Sequence, residues 1–273
     1  MARYLSPGDT VTVMGVAYRI RHELGIGGQC IAYLAENPTA EKVCLKVLTR
    51  SAPEQAQAQY TIGLRLNAVS QRDGWQSARE HVIAPHAIDT KQDVMLVERY
   101  ANGNTLAHHL KPGRRIVYDV ARTIFKAVGV GLLLLEYAGV AHRDVKPENI
   151  VLGRTPAHAA LTDLGLAGSL LRRPPFLGWT SGYSAPEQFT HAPASMAGDV
   201  YSLGCTMYHT LTGAPPFPTT PAETFHGFSW TRTHEDALHT AEVPPAIINL
   251  IGSMLEHEPN DRPGVREVVK TLS

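Results

Sequence analysis

The spacing of apolar positions changes near residue 100. Before it, short apolar or alternating runs predict strands at Val11-Thr12-Val13, Tyr18-Arg19-Ile20, Ile31-Ala32-Tyr33-Leu34, Val43-Cys44-Leu45-Lys46-Val47-Leu48 and Val94-Met95-Leu96-Val97. A stretch from Pro53 to Asn67, rich in Ala, Gln and Leu, predicts one helix between the last two of them. After Gly103 the period lengthens: Ile116, Val120, Ile124, Val128 and Leu132 recur every four residues, and Val200, Leu203, Met207 and Leu211 repeat near helical spacing. The expected fold class is α+β, a small antiparallel sheet with one helix followed by a larger, mainly helical part. The turn cluster Ala101-Asn102-Gly103-Asn104 sets the expected boundary, giving units 1–101 and 102–273.

Composition narrows the function classes. With 44% hydrophobic and 18% charged residues over 273 positions, the chain has the make-up of a folded globular protein. Lys plus Arg and Asp plus Glu number 25 each, so no general basic surface calls for nucleic acid or anionic lipid, and any polyanion must be held by a local site. Three cysteines, Cys30, Cys44 and Cys205, cannot all pair and lack metal-ligand spacing, which points to a reducing, cytoplasmic setting. The first residues lack the apolar core of a signal peptide. The greasiest segment, Ala127 to Val140, carries Glu136 and falls short of the roughly 20 apolar residues of a membrane span, so it reads as a buried helix and no membrane anchor is expected.

Two features in the first half carry chemistry. Leu24-Gly25-Ile26-Gly27-Gly28-Gln29-Cys30 lies between two predicted strands, where glycines let backbone N–H groups approach a phosphate that a Cβ would obstruct. It is not the Walker pattern, because no Lys-Ser or Lys-Thr follows. Lys46 interrupts an apolar strand, and an ammonium in such a place requires an anion. In the second half, His142-Arg143-Asp144-Val145-Lys146-Pro147-Glu148-Asn149-Ile150-Val151-Leu152 puts a carboxylate, an ammonium and an amide within six positions. A carboxylate can accept a hydroxyl proton, a lysine can neutralise a transferring phosphoryl group, and an amide oxygen can ligate a hard cation. Fourteen residues after Asn149, Asp163 ends an apolar run at Leu161-Thr162-Asp163-Leu164-Gly165, placed to complete an oxygen ligand set with it.

These residues resemble the eukaryotic-type protein kinases, most closely their bacterial serine/threonine branch. The likeness runs from about Tyr18 to Val269. It includes the glycine loop, Val-Cys-Leu-Lys at 43–46, the hinge-like Val97-Glu98-Arg99-Tyr100-Ala101, the loop at 142–149, and Asp163-Leu164-Gly165. Ala185-Pro186-Glu187, the Asp199 helix start and Asp261-Arg262-Pro263 follow in order.

The resemblance implies a two-lobed fold with ATP and Mg²⁺ (Mn²⁺ able to substitute) in a cleft. Leu24, Gly25, Gly27 and Gly28 would cover the phosphates, and backbone groups at Glu98 and Tyr100 would hold adenine between Ala32, Cys44 and Val151. Lys46 would bind the α- and β-phosphates, and Asn149 and Asp163 the metal. Asp144 would take the acceptor proton and Lys146 stabilise the γ-phosphoryl charge, with Thr180 bracing both. Arg143, Glu187, Asp199 and Arg262 would build the peptide platform. Protein substrates bearing Ser or Thr, including a second copy of the chain in autophosphorylation, are the implied partners.

Two departures stand out. Family members pair the strand lysine with a glutamate from the first helix, yet Gln55 through Arg79 contains none, so either the helix is displaced or Lys46 is oriented differently. Ser169 is the sole hydroxyl between Gly165 and Gly178, which makes it the expected regulatory phosphosite and implies weak dependence on loop phosphorylation, despite Arg172 and Arg173 nearby. A pseudokinase that binds nucleotide or scaffolds, and a small-molecule phosphotransferase of related fold, are the rival readings.

Overall fold

The computed structural model describes residues 4–27, 30–48, 53–72, 74–111, 113–170, 180–190, 193–217 and 229–273. Two compact units emerge, one comprising Met1–Gln71 with Ile83–Ala101, the other Arg72–Val82 with Asn102–Ser273.

The first unit is built on strands β1 (Thr10–Val13), β2 (Val16–Ile26), β3 (Cys30–Glu36), β4 (Lys42–Leu48), β5 (Pro85–Asp89) and β6 (Met95–Arg99), with helix α1 (Pro53–Ser70) after β4. They form a six-stranded sheet in the order β1-β2-β3-β4-β6-β5 with antiparallel neighbours. Because side chains alternate across a strand, register sorts the residues by face. Ala32 lies opposite Lys46, Lys46 opposite Leu96, and Cys44 opposite Glu98, so these five share one face. The other face carries Tyr33, Leu45 and Val97, each with no exposed surface, and forms the apolar core with Val13, Ile20 and Val47.

Helix α1 turns Ala56, Gln59, Gly63, Leu66, Val69 and Ser70 inward. At Gly63 an added Cβ would sit 2.0 Å from the Pro85 carbonyl oxygen, so only glycine permits this packing against β5. Ala56 clusters with Val94 and Leu96. Strand β5 is missing from the sequence pattern: it is an edge strand paired with β6 alone, and it opens on a proline, a residue that the strand pattern rejects but an edge tolerates.

The second unit contains α2 (Leu106–His109), α3 (Tyr118–Tyr137), the two-residue strands β7 (Val140–Ala141), β8 (Ile150–Val151), β9 (Ala160–Leu161) and β10 (Gly168–Ser169), then α4 (Met196–Thr212), α5 (Arg232–Thr240), α6 (Pro245–Met254) and α7 (Val265–Thr271). Ile124, Val128 and Leu132 line the buried side of α3, but Val120 is 38% exposed and Ile116 precedes the helix. A four-residue repeat drifts around a 3.6-residue helix, so its early members leave the buried stripe. Val140 lies beyond α3, in β7. Helix α4 starts on Ser195, whose Oγ accepts from the Gly198 N–H at 3.1 Å, and stops at Gly213 with φ 87°. Among the described residues no helix is long and apolar enough to cross a membrane.

Candidate active site

In the sheet unit, β2 and β3 close into a hairpin through the Gly27 N–H, which donates to the Cys30 carbonyl at 2.8 Å. Leu24, Gly25, Ile26 and Gly27 are exposed; Gly28 lies outside the described residues. A Cβ built on Gly25 would meet nothing within 4 Å. Packing within the protein therefore does not demand glycine there. Lys46 Nζ lies 2.9 Å from Glu98 Oε2 and 3.1 Å from Oε1, with the lysine side chain 12% and the glutamate 1% exposed. Lys46 is thus directed along its own sheet, the second of the two alternatives raised by the missing helix glutamate. Beside them the Cys44 thiol is pushed up to about 12, mainly by burial and next by the Glu98 carboxylate, so it is protonated and inert at neutral pH. Tyr100 is the first residue past β6.

In the helical unit, α3 ends and Gly139, at φ 67°, turns the chain into β7 and the loop beyond it. Arg143 also has positive φ, 67°, a costly conformation for a side-chain-bearing residue. Asp199, wholly buried in the first turn of α4, holds the loop in that shape: its two oxygens accept the His142 and Arg143 N–H groups at 2.7 and 2.6 Å. Gln188 adds a bond from Nε2 to the Arg143 carbonyl at 3.1 Å. Burial raises the Asp199 pKa, opposed by those two N–H groups and by the Arg143 charge. The partners of the His142 ring assign its tautomer. Nε2 carries the proton toward the Thr162 carbonyl (3.1 Å), and Nδ1 receives the Asp144 N–H (3.3 Å).

On this pinned loop Asp144 becomes the centre of a charge network. Thr180 Oγ1 donates to Asp144 Oδ1 at 2.7 Å, Asn149 Nδ2 to Oδ2 at 2.7 Å, and Lys146 Nζ lies 2.8 Å from Oδ2. Lys146 also donates to Thr180 Oγ1 at 2.8 Å. Both acceptors of the Asn149 amide nitrogen, the carboxylate and the Asp144 carbonyl, only accept, so the nitrogen assignment is forced and the amide oxygen remains as the acceptor end. β8 and β9 pair Ile150 with Leu161, and the Thr162 N–H donates to the Asn149 carbonyl at 2.9 Å. That ladder sets Thr162 opposite Asn149, with Asp163 the next residue along. Asp163 sits at φ 65°, its Oδ1 accepting the Gly165 N–H at 3.1 Å. Val151 lies on β8 and is bridged to Thr105.

Farther from the loop, Glu187 and Arg262 form a two-pronged ion pair at 2.7 and 2.9 Å, the Arg262 side chain having no exposed surface. Its remaining donors reach the carbonyls of Glu256, His257 and Ala197, and its guanidinium lies 4.9 Å from the Tyr201 ring centroid. Ser169 is half-buried in β10, opposite Val140. Arg172 and Arg173 lie outside the described residues.

Three participants escape sequence reasoning. Gln188, and Ser184, whose Oγ accepts the Thr180 N–H at 2.9 Å, carry no signal apart from closeness to Ala185-Pro186-Glu187. The Glu98 side chain did carry one: a carboxylate closing the apolar run Met95-Leu96-Val97, the mirror of the signal that singled out Lys46.

A glycine hairpin, a buried strand lysine and a braced Asp/Lys/Asn loop on an α+β fold define the protein kinase class. The chain belongs to the protein kinase domain family, whose sequence pattern matches residues 18–272. It is 28% identical over 264 residues to the inactive serine/threonine-protein kinase PLK5 of Mus musculus, covering 94% of this chain and 42% of that one. With the serine/threonine-protein kinase PknE of Mycobacterium tuberculosis it shares 32% over 206 residues, 73% of this chain and 35% of the relative. With the probable serine/threonine-protein kinase pknA2 of Bifidobacterium longum it shares 28% over 261 residues, 93% and 33% respectively. The chain therefore spans well under half the length of these relatives.

Proposed function

We propose that this domain transfers the γ-phosphoryl group of ATP to Ser and Thr hydroxyls of proteins, a second copy of the chain among them, in the cytoplasm. The observation that carries the reading is the Asp144 carboxylate, held by Thr180, Asn149 and Lys146 at 2.7 to 2.8 Å. An acceptor hydroxyl oxygen attacks the γ-phosphorus, the bond to the bridging oxygen breaks, ADP leaves, and the hydroxyl proton goes to Asp144. Positioned general-base help of this kind is worth about 10²–10⁴ in rate, and Lys146 offsets charge on the moving group. Lys46 takes the α- and β-phosphates. The open space over Gly25 suits backbone approach to phosphate, and the main chain at Tyr100, just past the ladders that engage Glu98, takes the adenine edge. Asn149 and Asp163 offer an amide and a carboxylate oxygen, a donor set fit for Mg²⁺ or Mn²⁺, and a bound cation would neutralise phosphate charge.

Arg262 and Glu187 support a peptide-presenting platform, which disfavours a small-molecule acceptor. A catalytically silent reading draws on the carboxylate-free inner face of α1 and on the relative named inactive. The test is to incubate the chain and a generic basic protein with labelled Mg-ATP, beside Asp144→Asn and Lys46→Met. Label in protein with the unmutated chain alone supports the kinase. Nucleotide binding without label supports the silent reading, and label in a small alcohol the small-molecule one.

A further inference from the structure

We infer that Glu98 is the positioning residue that holds Lys46 for nucleotide, so that the grip on this lysine is built into the sheet and does not depend on where α1 sits. The inference rests on the kinase reading above and assigns its missing carboxylate to a strand. An ammonium 12% exposed and a carboxylate 1% exposed would each be costly alone, and together they compensate. Strand geometry fixes their meeting. Glu98 stands opposite Cys44 and Lys46 lies two residues farther along β4 on the same face, a diagonal of about 7–8 Å between backbones that long side chains bridge. Moreover, β6 is held on both flanks, by β4 and β5, so the Glu98 backbone cannot shift without breaking two ladders.

Helix α1 offers no inward carboxylate in its place. Its inward residues are Ala56, Gln59, Gly63, Leu66, Val69 and Ser70, and Glu54, its one acidic residue, is an exposed member of the first turn. Where a helix supplies the partner, helix position switches the lysine on and off. Here a shift of α1 removes no charge from Lys46. Regulation by swinging this helix is thereby designed out, and catalytic readiness of Lys46 becomes constitutive.

The test compares kcat and the KM for Mg-ATP in the whole chain for Glu98→Gln, Glu98→Asp, Gln59→Ala, Lys46→Met and the double variant Lys46→Met/Glu98→Gln, with melting temperatures alongside. Loss of a charged hydrogen-bond partner predicts that Glu98→Gln raises KM about tenfold or more, with Glu98→Asp recovering part of it and Gln59→Ala within about twofold of the parent. In the Lys46→Met background the Glu98→Gln change adds nothing, because the residue acts through Lys46. A KM within twofold for Glu98→Gln, a further loss in the Lys46→Met background, or tighter nucleotide binding without Glu98 would each overturn the inference. Should Glu98→Gln not fold, Glu98→Asp carries the test: an unchanged KM overturns it and an intermediate rise supports it. If the unmutated chain transfers no phosphate, the kinase reading fails on its own, and calorimetric Mg-ATP affinities of the same variants, expected in the same order, still decide the part played by Glu98.

Discussion

Two lysine–carboxylate pairs of nearly equal length, Lys46–Glu98 at 2.9 Å and Lys146–Asp144 at 2.8 Å, are built in opposite ways. The helical unit's pair comes from residues two apart in sequence, on a loop that depends on Asp199, Gln188 and Thr180 for its shape. The sheet unit's pair comes from residues 52 apart, joined by strand register. A local pair can be read from a string but needs external bracing. Each member of a register pair can stand out in the string, but their pairing cannot, and once the sheet forms the pair is rigid. The first arrangement suits the role proposed for Asp144, meeting an incoming hydroxyl, and the second the role proposed for Lys46, staying put under phosphate.

Four variants separate these arrangements, beginning with the largest effect. Asp144→Asn removes the proposed proton acceptor and is expected to lower phosphate transfer about 10³-fold, with the melting temperature within a few degrees of the parent; equal losses of activity and stability would show that Asp144 acts as a strut. Gly63→Ala forces α1 away from Pro85, where its Cβ would stand 2.0 Å from the carbonyl oxygen. An overpacked contact of this kind costs about 1–3 kcal/mol in urea unfolding. If the sheet holds Lys46, Mg-ATP affinity measured on the folded fraction stays within about twofold, and a loss matching that of Glu98→Gln would make the grip helix-dependent after all. Thr180→Ala should slow transfer about tenfold by loosening Asp144 and Lys146, and Thr180→Ser should restore most of it, since one hydroxyl bond to a charged group is worth about 1.5 kcal/mol or more. A Ser variant as slow as Ala would place the effect in the methyl group.

The smallest effect is one of pH. Burial lowers the His209 pKa, and its Nδ1 receives the Tyr183 hydroxyl at 2.6 Å. The folded state thus binds its proton less readily than the unfolded chain, whose histidine titrates near 6.5. The stability from this contact is present above that pH and declines as pH falls toward the folded value. Melting temperature should drop between pH 7.5 and 5.5, and His209→Gln should flatten part of the drop; an unchanged slope removes His209 as a cause.

How much could be read beforehand follows from range in sequence. The sheet, its helix and the helical second half were legible, because periodicity is local: β1, β2, β3, β4, β6 and α1 overlap the patterned segments. Asp144, Lys146 and Asn149 share six positions, and the structure brings them together. Strand β5 was hidden by its opening proline. The sequence marks Glu98 for its backbone alone, since nothing short of the β4–β6 register shows that its side chain meets Lys46. The strained backbone at Arg143 likewise owes its stability to Asp199, 56 residues away.

Intact-mass and fragment analysis of an acceptor protein after incubation with Mg-ATP and the unmutated chain reads the central assignment at Asp144 with least inference. One or more phosphoryl groups on Ser or Thr side chains, absent when Asp144→Asn replaces the parent, is the predicted result. An unmodified acceptor beside a chain that demonstrably holds Mg-ATP, or equal modification by Asp144→Asn, would contradict it.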